Sequence, residues 1–301
     1  MAVPVIDITS WEPADEEPLG TKPKQWVRDP DRRKWLWKET TVQQDVRHGA
    51  FLKGDDWSEV LAGRVGEGLG LPVARVELAQ RGDARGVISR SVLAGDEELA
   101  HGNELLTGRA SGGSSRPRSR VGYTLLAVRE LLTVVAPPDD RAPGLDAFDW
   151  FVGFVVLDAL VGNTDRHQDN WGVIRGGLAP RLAPSFDHAS CLGFLLSDQE
   201  RVERLTGGDP QRSVAGFAGA ATSKFEGSPL LRAAALDGLG LAGPEARAHL
   251  GEALNAVPSL HQLADEEIPQ DRMSVVAREF AEGVYRENHS ALSQAIRTMW
   301  S

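Results

Sequence analysis

Lys34-Trp35-Leu36-Trp37-Lys38 reads as an apolar strand ended by Lys38, whose successive side chains point to opposite faces. This puts the two tryptophans on one face of a strand and Leu36 and Lys38 on the other. Gln25-Trp26-Val27, across a turn at Asp29-Pro30-Asp31, supplies a partner strand, because aromatic and β-branched residues flanking a polar turn read as a hairpin. The period then lengthens. Apolar positions 57, 60, 61 and 65 mark one face of a helix ending at Gly68 or Gly70. Residues 71–78 and 87–93 return to a strand pattern around Arg81-Gly82-Asp83, and Ala94-Gly95-Asp96 reads as a hinge. Residues 1–95 are therefore expected to form a small, mostly β lobe with one key helix. Residues 96–301 would form a larger, mostly α lobe, making an α+β chain in two lobes. The first twenty residues mix proline, acidic and apolar positions and read as either an ordered arm or a loose tail.

Beyond His101 the pattern is helical. Residues 121–135 form an apolar-periodic helix stopped by Pro137-Pro138, and residues 145–161 form a second. The run WFVGFVVLDALVG within the second is that of a helix buried on nearly all sides. Further helices are expected over 199–205, 214–225, 229–239, 244–257 and 273–299. Between them lies one low-complexity stretch, RASGGSSRPRSR at 109–120. Its Gly/Ser content and basic charge suit a surface loop, with Ser114 and Ser115 as candidate phosphate acceptors.

The densest polar set follows the buried helix, in VGNTDRHQDNWGVIRGGLAPRLAPSFD at 161–187. Asp165 and Asn170 carry the D-x-x-x-x-N spacing of a phosphotransfer loop, in which the carboxylate faces an acceptor hydroxyl and the amide holds a metal. Two short apolar runs, 171–174 and 178–182, are joined through Gly176-Gly177 and read as a hairpin. Such a hairpin would return Asp187 beside Asn170 as a second metal ligand. A cap-and-turn reading explains these residues singly. It leaves carboxylates among apolar flanks without partners, at a cost of several kcal/mol each. A hydrolytic metal centre of His167, Asp169, Asp187 and His188 is the other alternative, with no HExxH-type spacing behind it. An inward-facing lysine on a strand also needs a partner, and Glu59 near the start of the first helix is the candidate for Lys38. Lys22, in the basic run before the first hairpin, is placed to meet phosphates, although one glycine there makes no P-loop. Val92 and Leu93, just before the hinge, complete the expected nucleotide contacts.

Charge and composition narrow the partners. A net charge of −10 argues against nucleic acid and against a stable association with an anionic membrane. The single cysteine, Cys191, excludes an internal disulfide and fits a reducing compartment. The acidic N-terminus lacks a signal-peptide apolar core, and the longest apolar run is far short of a membrane span, so the expected location is the cytoplasm. The sequence sets no oligomeric state.

Taken together, the D-x-H-x-x-N of Asp165, His167 and Asn170, the S-F-D ending at Asp187 and the W-L-W-K ending at Lys38 resemble the HipA-like kinases. So does the spacing from Glu59 to Gly70-Leu71-Pro72. These are bacterial relatives of eukaryotic protein kinases and phosphatidylinositol kinases. The resemblance runs from about Gly20 to Phe194. It implies a two-lobed kinase fold, ATP with Mg²⁺, and transfer to serine or threonine of a protein or peptide, with autophosphorylation as one form. By that match Asp165 is the base, Asn170 and Asp187 ligate metal, Lys38 contacts phosphate and Glu59 pairs with it. His167 braces the loop. Lys38 lies too early to leave room for the extra N-terminal subdomain of full-length HipA toxins, which counts against a toxin role. Asp-Arg-His followed by Asn is shared with phosphatidylinositol kinases, which keeps lipid and small-molecule hydroxyls open as acceptors. A nucleotide-binding module of pseudokinase type is the non-catalytic alternative.

Overall fold

The computed structural model describes residues 5–16, 24–47, 49–107, 121–139 and 142–299. Among the first twenty residues, the described ones (5–16) form an ordered arm. β1 (Ile6–Asp7) and β2 (Glu12–Glu16) join the same sheet as β3 (Lys24–Arg28) and β4 (Lys34–Glu39). The expected hairpin forms, with Trp26 opposite Leu36 and Lys24 opposite Lys38. Its turn is held by Asp29, which accepts from the Arg33 amide (2.8 Å) and from Trp35 Nε1 (3.0 Å). The pleat sorts the faces as the alternation requires. Trp35 and Trp37 are buried with Ile8, Val27 and Ile88 in a small core of their own. Leu36 and Lys38 face the opposite side, into a cleft.

A second hairpin, β5 (Val42–Asp45) with β6 (Gly49–Leu52), follows where no strand was expected. Then comes α1 (Asp55–Gly68), whose residues 55–63 are all buried. Its apolar positions 57, 60, 61 and 65 join the main core, as the helical period demands. β7 (Val76–Arg81) and β8 (Ala84–Arg90) complete a six-stranded sheet of order β1-β7-β8-β4-β3-β2. β7 starts later than the apolar run at 71–78 suggested, and β8 is shifted toward the turn relative to 87–93. The backbone of residues 72–74 bonds instead to Ser185, which donates to the Pro72 carbonyl and accepts from the Ala74 amide. Those groups are therefore spent on the segment that leads to Asp187, outside the sheet.

After the hinge, β9 (Glu98–His101) replaces the start of the helical region, followed by α2 (Gly102–Thr107). The missed strand matters because it pairs with β10 (Gly172–Arg175), which pairs in turn with β11 (Arg181–Leu182). Residues 98–101 are thereby tied to the hairpin that carries the chain from Asn170 to Asp187. Between them stand α3 (Leu125–Leu132) and α4 (Ala147–Val161). Every residue of α4 is buried, as its unbroken apolar run foretold. α4 begins on a reciprocal capping box between Asp146 and Asp149 and ends at Gly162, whose φ of 72° is the left-handed turn glycine adopts without strain.

The rest is helical: α5 (Asp198–Thr206), α6 (Val214–Gly219), α7 (Leu231–Leu241), α8 (Pro244–Ala256), α9 (Leu260–Glu267) and α10 (Val275–Met299). α6 stops at Gly219 instead of running to 225, because residues 222–230 close into a loop through a Thr222–Leu230 bridge. α9 was not anticipated. The low-complexity stretch at 109–120 lies outside the described residues. The architecture is the expected α+β one: a β-sheet lobe with α1 packed on it, and a helical lobe centred on α4. No helix among the described residues is long and apolar enough to cross a membrane.

One backbone contact fixes the position of Lys38. Gly86 lies opposite Glu39 on the neighbouring strand, and a Cβ there would collide with the Lys38 carbonyl and lie within 2.9 Å of the Trp37 ring. Gly86→Ala should lower stability by about 3 kcal/mol, read as a lower urea midpoint at unchanged slope.

Candidate active site

Between the two lobes lies a cleft of about 270 Å³. Its walls include Lys24 and Lys38 from the sheet, Glu59 from α1, and Asp165, Asn170 and Asp187 from the helical side. Lys38 and Asp187 are 149 positions apart in sequence, and the Lys38 ammonium joins Asp187 to Glu59. Lys38 Nζ donates to Glu59 Oε1 at 2.7 Å and to Asp187 Oδ1 at 2.8 Å. Lys24 Nζ stands 3.7 Å from the other Asp187 oxygen.

Burial opposes charge on all three groups. For Lys38 the two carboxylates outweigh burial and raise its pKa above the ordinary lysine value. For Asp187 burial is again outweighed, by Lys38 and then Lys24, and its carboxyl is held well below the usual range. Glu59 goes the other way. Burial dominates and pushes its pKa up despite Lys38, with Asp187 adding repulsion. Its second oxygen has no hydrogen-bond partner among the described residues. Asp187 also has a φ of 61°, a left-handed conformation that costs a non-glycine residue on the order of 1 kcal/mol. It is held there because Ser185 is paired on one side and the His188 ring is fully buried on the other.

The loop after α4 is built on a buried ion pair absent from the expected site. Arg166, 1% exposed, donates from Nε and Nη2 to the two Asp158 oxygens at 2.7 and 2.8 Å. It also donates to the Asn170 carbonyl (2.8 Å) and to Ser185 Oγ (2.9 Å). One guanidinium thus fastens both ends of the loop and the segment before Asp187 to the core helix. A signal for it existed: Asp158 is the charged residue inside the apolar run of α4, and a buried carboxylate needs a partner.

On this base the expected residues fall into place around the cleft. Asn170 Nδ2 donates to the Asp165 carbonyl (2.8 Å), which commits the amide nitrogen and makes the oxygen the atom Asn170 can offer a cation. His167 Nδ1 accepts from the Asp169 amide at 3.1 Å, so Nε2 carries the proton. That nitrogen stands 3.8 Å from Asp165 Oδ2, too far for a direct hydrogen bond. Val92 lines the cleft, whereas Leu93 is not among the lining residues. Lys22 lies outside the described residues, and the basic residue seen at the cleft is Lys24, two positions on. His188 is fully buried, hydrogen-bonded through Nε2 to Ser185 Oγ (2.7 Å), and kept neutral by burial and Arg166. It faces away from the cleft chemistry, and the hydrolytic centre loses one of its four members.

Among the described residues no group of three or more His, Cys, Asp or Glu is arranged to hold a metal. Asn170 and Asp187 offer hard oxygen donors on one wall, with room for further ligands. That donor set fits Mg²⁺, which takes one or two protein oxygens and completes its shell with water and substrate phosphates.

Comparison of the whole chain with solved structures identifies the fold. It is similar to the Helicobacter pylori proinflammatory kinase CtkA, with a TM-score of 0.72, 19% identity and 98% of each chain covered. The chain has a protein kinase-like fold. HipA of the Shewanella oneidensis MR-1 toxin–antitoxin system, solved with HipB and operator DNA, is also similar, with a TM-score of 0.56 and 13% identity over 94% of this chain and 68% of that one. Hydra Fam20 with sugar follows at 0.50 and 9%, over 97% and 87%. No family model matches the chain, and no curated protein matches it in sequence. The likeness to HipA read from the motifs therefore holds at the level of fold.

In this kinase-like fold the cleft charges set a pH dependence. Because folding depresses the Asp187 pKa, the unfolded chain binds its proton first as pH falls, so stability is present above the ordinary value of about 4 and is lost below it. Urea midpoints should fall from about pH 5 to pH 3, and Asp187→Asn should flatten that slope. Lys38→Met leaves Glu59 buried without its cation and should cost about 3–5 kcal/mol. Glu59→Gln added to that variant should restore part of the loss, measured by the same unfolding.

Proposed function

We propose that this chain is a kinase that moves the γ-phosphoryl group of Mg-ATP to a serine or threonine hydroxyl of a protein or peptide. The observation that carries the reading is the single ammonium of Lys38 bridging Glu59 and Asp187 in a cleft that also holds Asp165 and Asn170. A cation, two oxygen ligands and a half-exposed carboxylate are what phosphoryl transfer asks of a protein, since catalysis there is positioning and charge neutralisation. The alternatives supply less: a hydrolytic metal site has no use for a lysine locked between two acids.

Each residue then has one task. Lys38, kept charged by its two partners, meets the nucleotide phosphates, with Glu59 fixing its direction. Asn170 and Asp187 hold Mg²⁺, which neutralises phosphate charge when bound. Asp165 accepts the hydrogen bond of the acceptor hydroxyl and takes its proton as the new oxygen–phosphorus bond forms and ADP departs. Arg166 keeps Asp165 and Asn170 in register without touching either substrate. The hinge at 94–96 divides a nucleotide-binding lobe, 1–95, from the catalytic lobe, 96–301. Asp187, whose Oδ1 is held by Lys38, would offer Oδ2 to the cation beside that lysine, so nucleotide and metal are expected to bind together.

Two variants test the assignment. Asp165→Asn should lower turnover of labelled Mg-ATP by about 10²–10⁴-fold while keeping the rise in thermal midpoint that Mg-ATP produces. Asp187→Asn should lose that rise with Mg-ATP. Normal turnover by Asp165→Asn would refute its role. A wild type that binds nucleotide but labels neither itself nor any Ser/Thr peptide would point to the binding module instead.

A further inference from the structure

Asp165 is gripped by a cation that comes from a distant part of the chain. Lys224 Nζ stands 3.4 Å from Asp165 Oδ1, with the two side chains 32% and 41% exposed. At that exposure the pair contributes little to stability, at most about 1 kcal/mol, and holding a lysine in one place costs rotamer entropy. The loop that delivers it is nonetheless built with care. Ser223 is buried and its hydroxyl donates to the Ser228 carbonyl. The Phe225 amide donates to Ser223 Oγ at 3.1 Å, and the Ser223 amide to the Pro229 carbonyl at 2.9 Å.

The same loop is locked to the loop that carries Asp165. Phe225, 2% exposed, packs on Tyr123 with ring centroids 4.6 Å apart, and on Phe151 of α4. The Glu226 amide donates to the Tyr123 carbonyl (2.8 Å), and Tyr123 donates its hydroxyl to the Arg166 carbonyl (3.2 Å), one residue past Asp165. Ser223 and Phe225 on either side of Lys224 are thus buried and bonded, and the Lys224 side chain between them reaches Asp165. Folding fixes the distance between the two. Stability does not require their contact.

We propose that Lys224 is a positioning residue for phosphoryl transfer, an inference that rests on the kinase reading. It holds Asp165 Oδ1, which fixes the plane of the carboxylate and leaves Oδ2, on the His167 side, to receive the acceptor hydroxyl. It also places a positive charge beside Asp165, whereas Lys24 and Lys38 are engaged at Asp187. Negative charge spreads over the equatorial oxygens of the group in flight, next to the carboxylate of Asp165. A fixed cation there lowers the repulsion between them in the transition state more than in the ground state.

The experiment measures transfer from labelled Mg-ATP to the protein itself, to a degenerate Ser/Thr peptide mixture and to water. Lys224→Ala should lower kcat about 10- to 100-fold with KM for Mg-ATP and the thermal midpoint unchanged. Lys224→Arg should recover most of the rate. Because Lys224 acts through Asp165, adding Lys224→Ala to Asp165→Asn should cause no further loss. Unchanged kcat in Lys224→Ala, a rise in KM alone, or a loss that multiplies with that of Asp165→Asn would each overturn the proposal while the wild type still transfers. A wild type silent with all three acceptors overturns the kinase reading, and this inference with it.

Discussion

An ammonium taken out of water survives only beside negative charge, and that constraint organises this molecule around Lys38. Its strand faces the cleft because Trp35 and Trp37 claim the opposite side for the small core beneath the sheet. The pleat leaves Lys38 no other direction. The two carboxylates that meet it come from α1 and from the segment after β11. One side chain thereby couples the sheet, its packed helix and the helical lobe. The pair of acids is not symmetric. Glu59 is the more deeply buried and is pushed toward its neutral form, whereas Asp187 is about a quarter exposed and is driven the other way. The better ionised of the two is the one within reach of solvent and of an incoming cation.

A second buried pair does the complementary work. Asp158 and Arg166 are both 1% exposed, and burying two ions is favourable only when the remaining donors and acceptors are also met. Here they are. Asn163 adds a donor to Asp158 at 2.7 Å, and the guanidinium reaches the Asn170 carbonyl and Ser185. The result is a loop anchored from below by dry, directional bonds, while Asp165 on top stays accessible. Rigidity and exposure sit on adjacent residues, Arg166 and Asp165, which suits a site that must hold geometry and still admit a substrate.

Much of this was legible along the chain. The period-two run at 34–38, the helix at 57–65 and the all-apolar helix before residue 162 were written in their own side chains, because each depends on local burial. So was the return of Asp187 by a hairpin. Other features were not. β9 was missed because four residues beside a hinge carry too little pattern, and it is a strand only because β10 offers its edge. Residues 71–75 looked like strand and are not, because Ser185 takes their backbone bonds. The helix expected through 225 stops at 219 for a similar reason, since Phe225 is needed against Tyr123 and Phe151.

The site divides along the same line. Which residues were candidates for the chemistry could be read from spacing: Asp165 and Asn170 on one loop, Asp187 beyond a hairpin, Lys38 and Glu59 on elements whose faces could be read. Which of them pair was decided by packing. That Asp187 shares Lys38 with Glu59, that Lys24 approaches it, that Arg166 is a buried brace and that Lys224 reaches Asp165 all depend on contacts between distant segments. A charged residue announces in sequence that it needs a partner once buried, but the partner is whichever group the core brings within about 3 Å. That choice belongs to the tertiary structure, because the range of a hydrogen bond is far shorter than the length of chain that closes it.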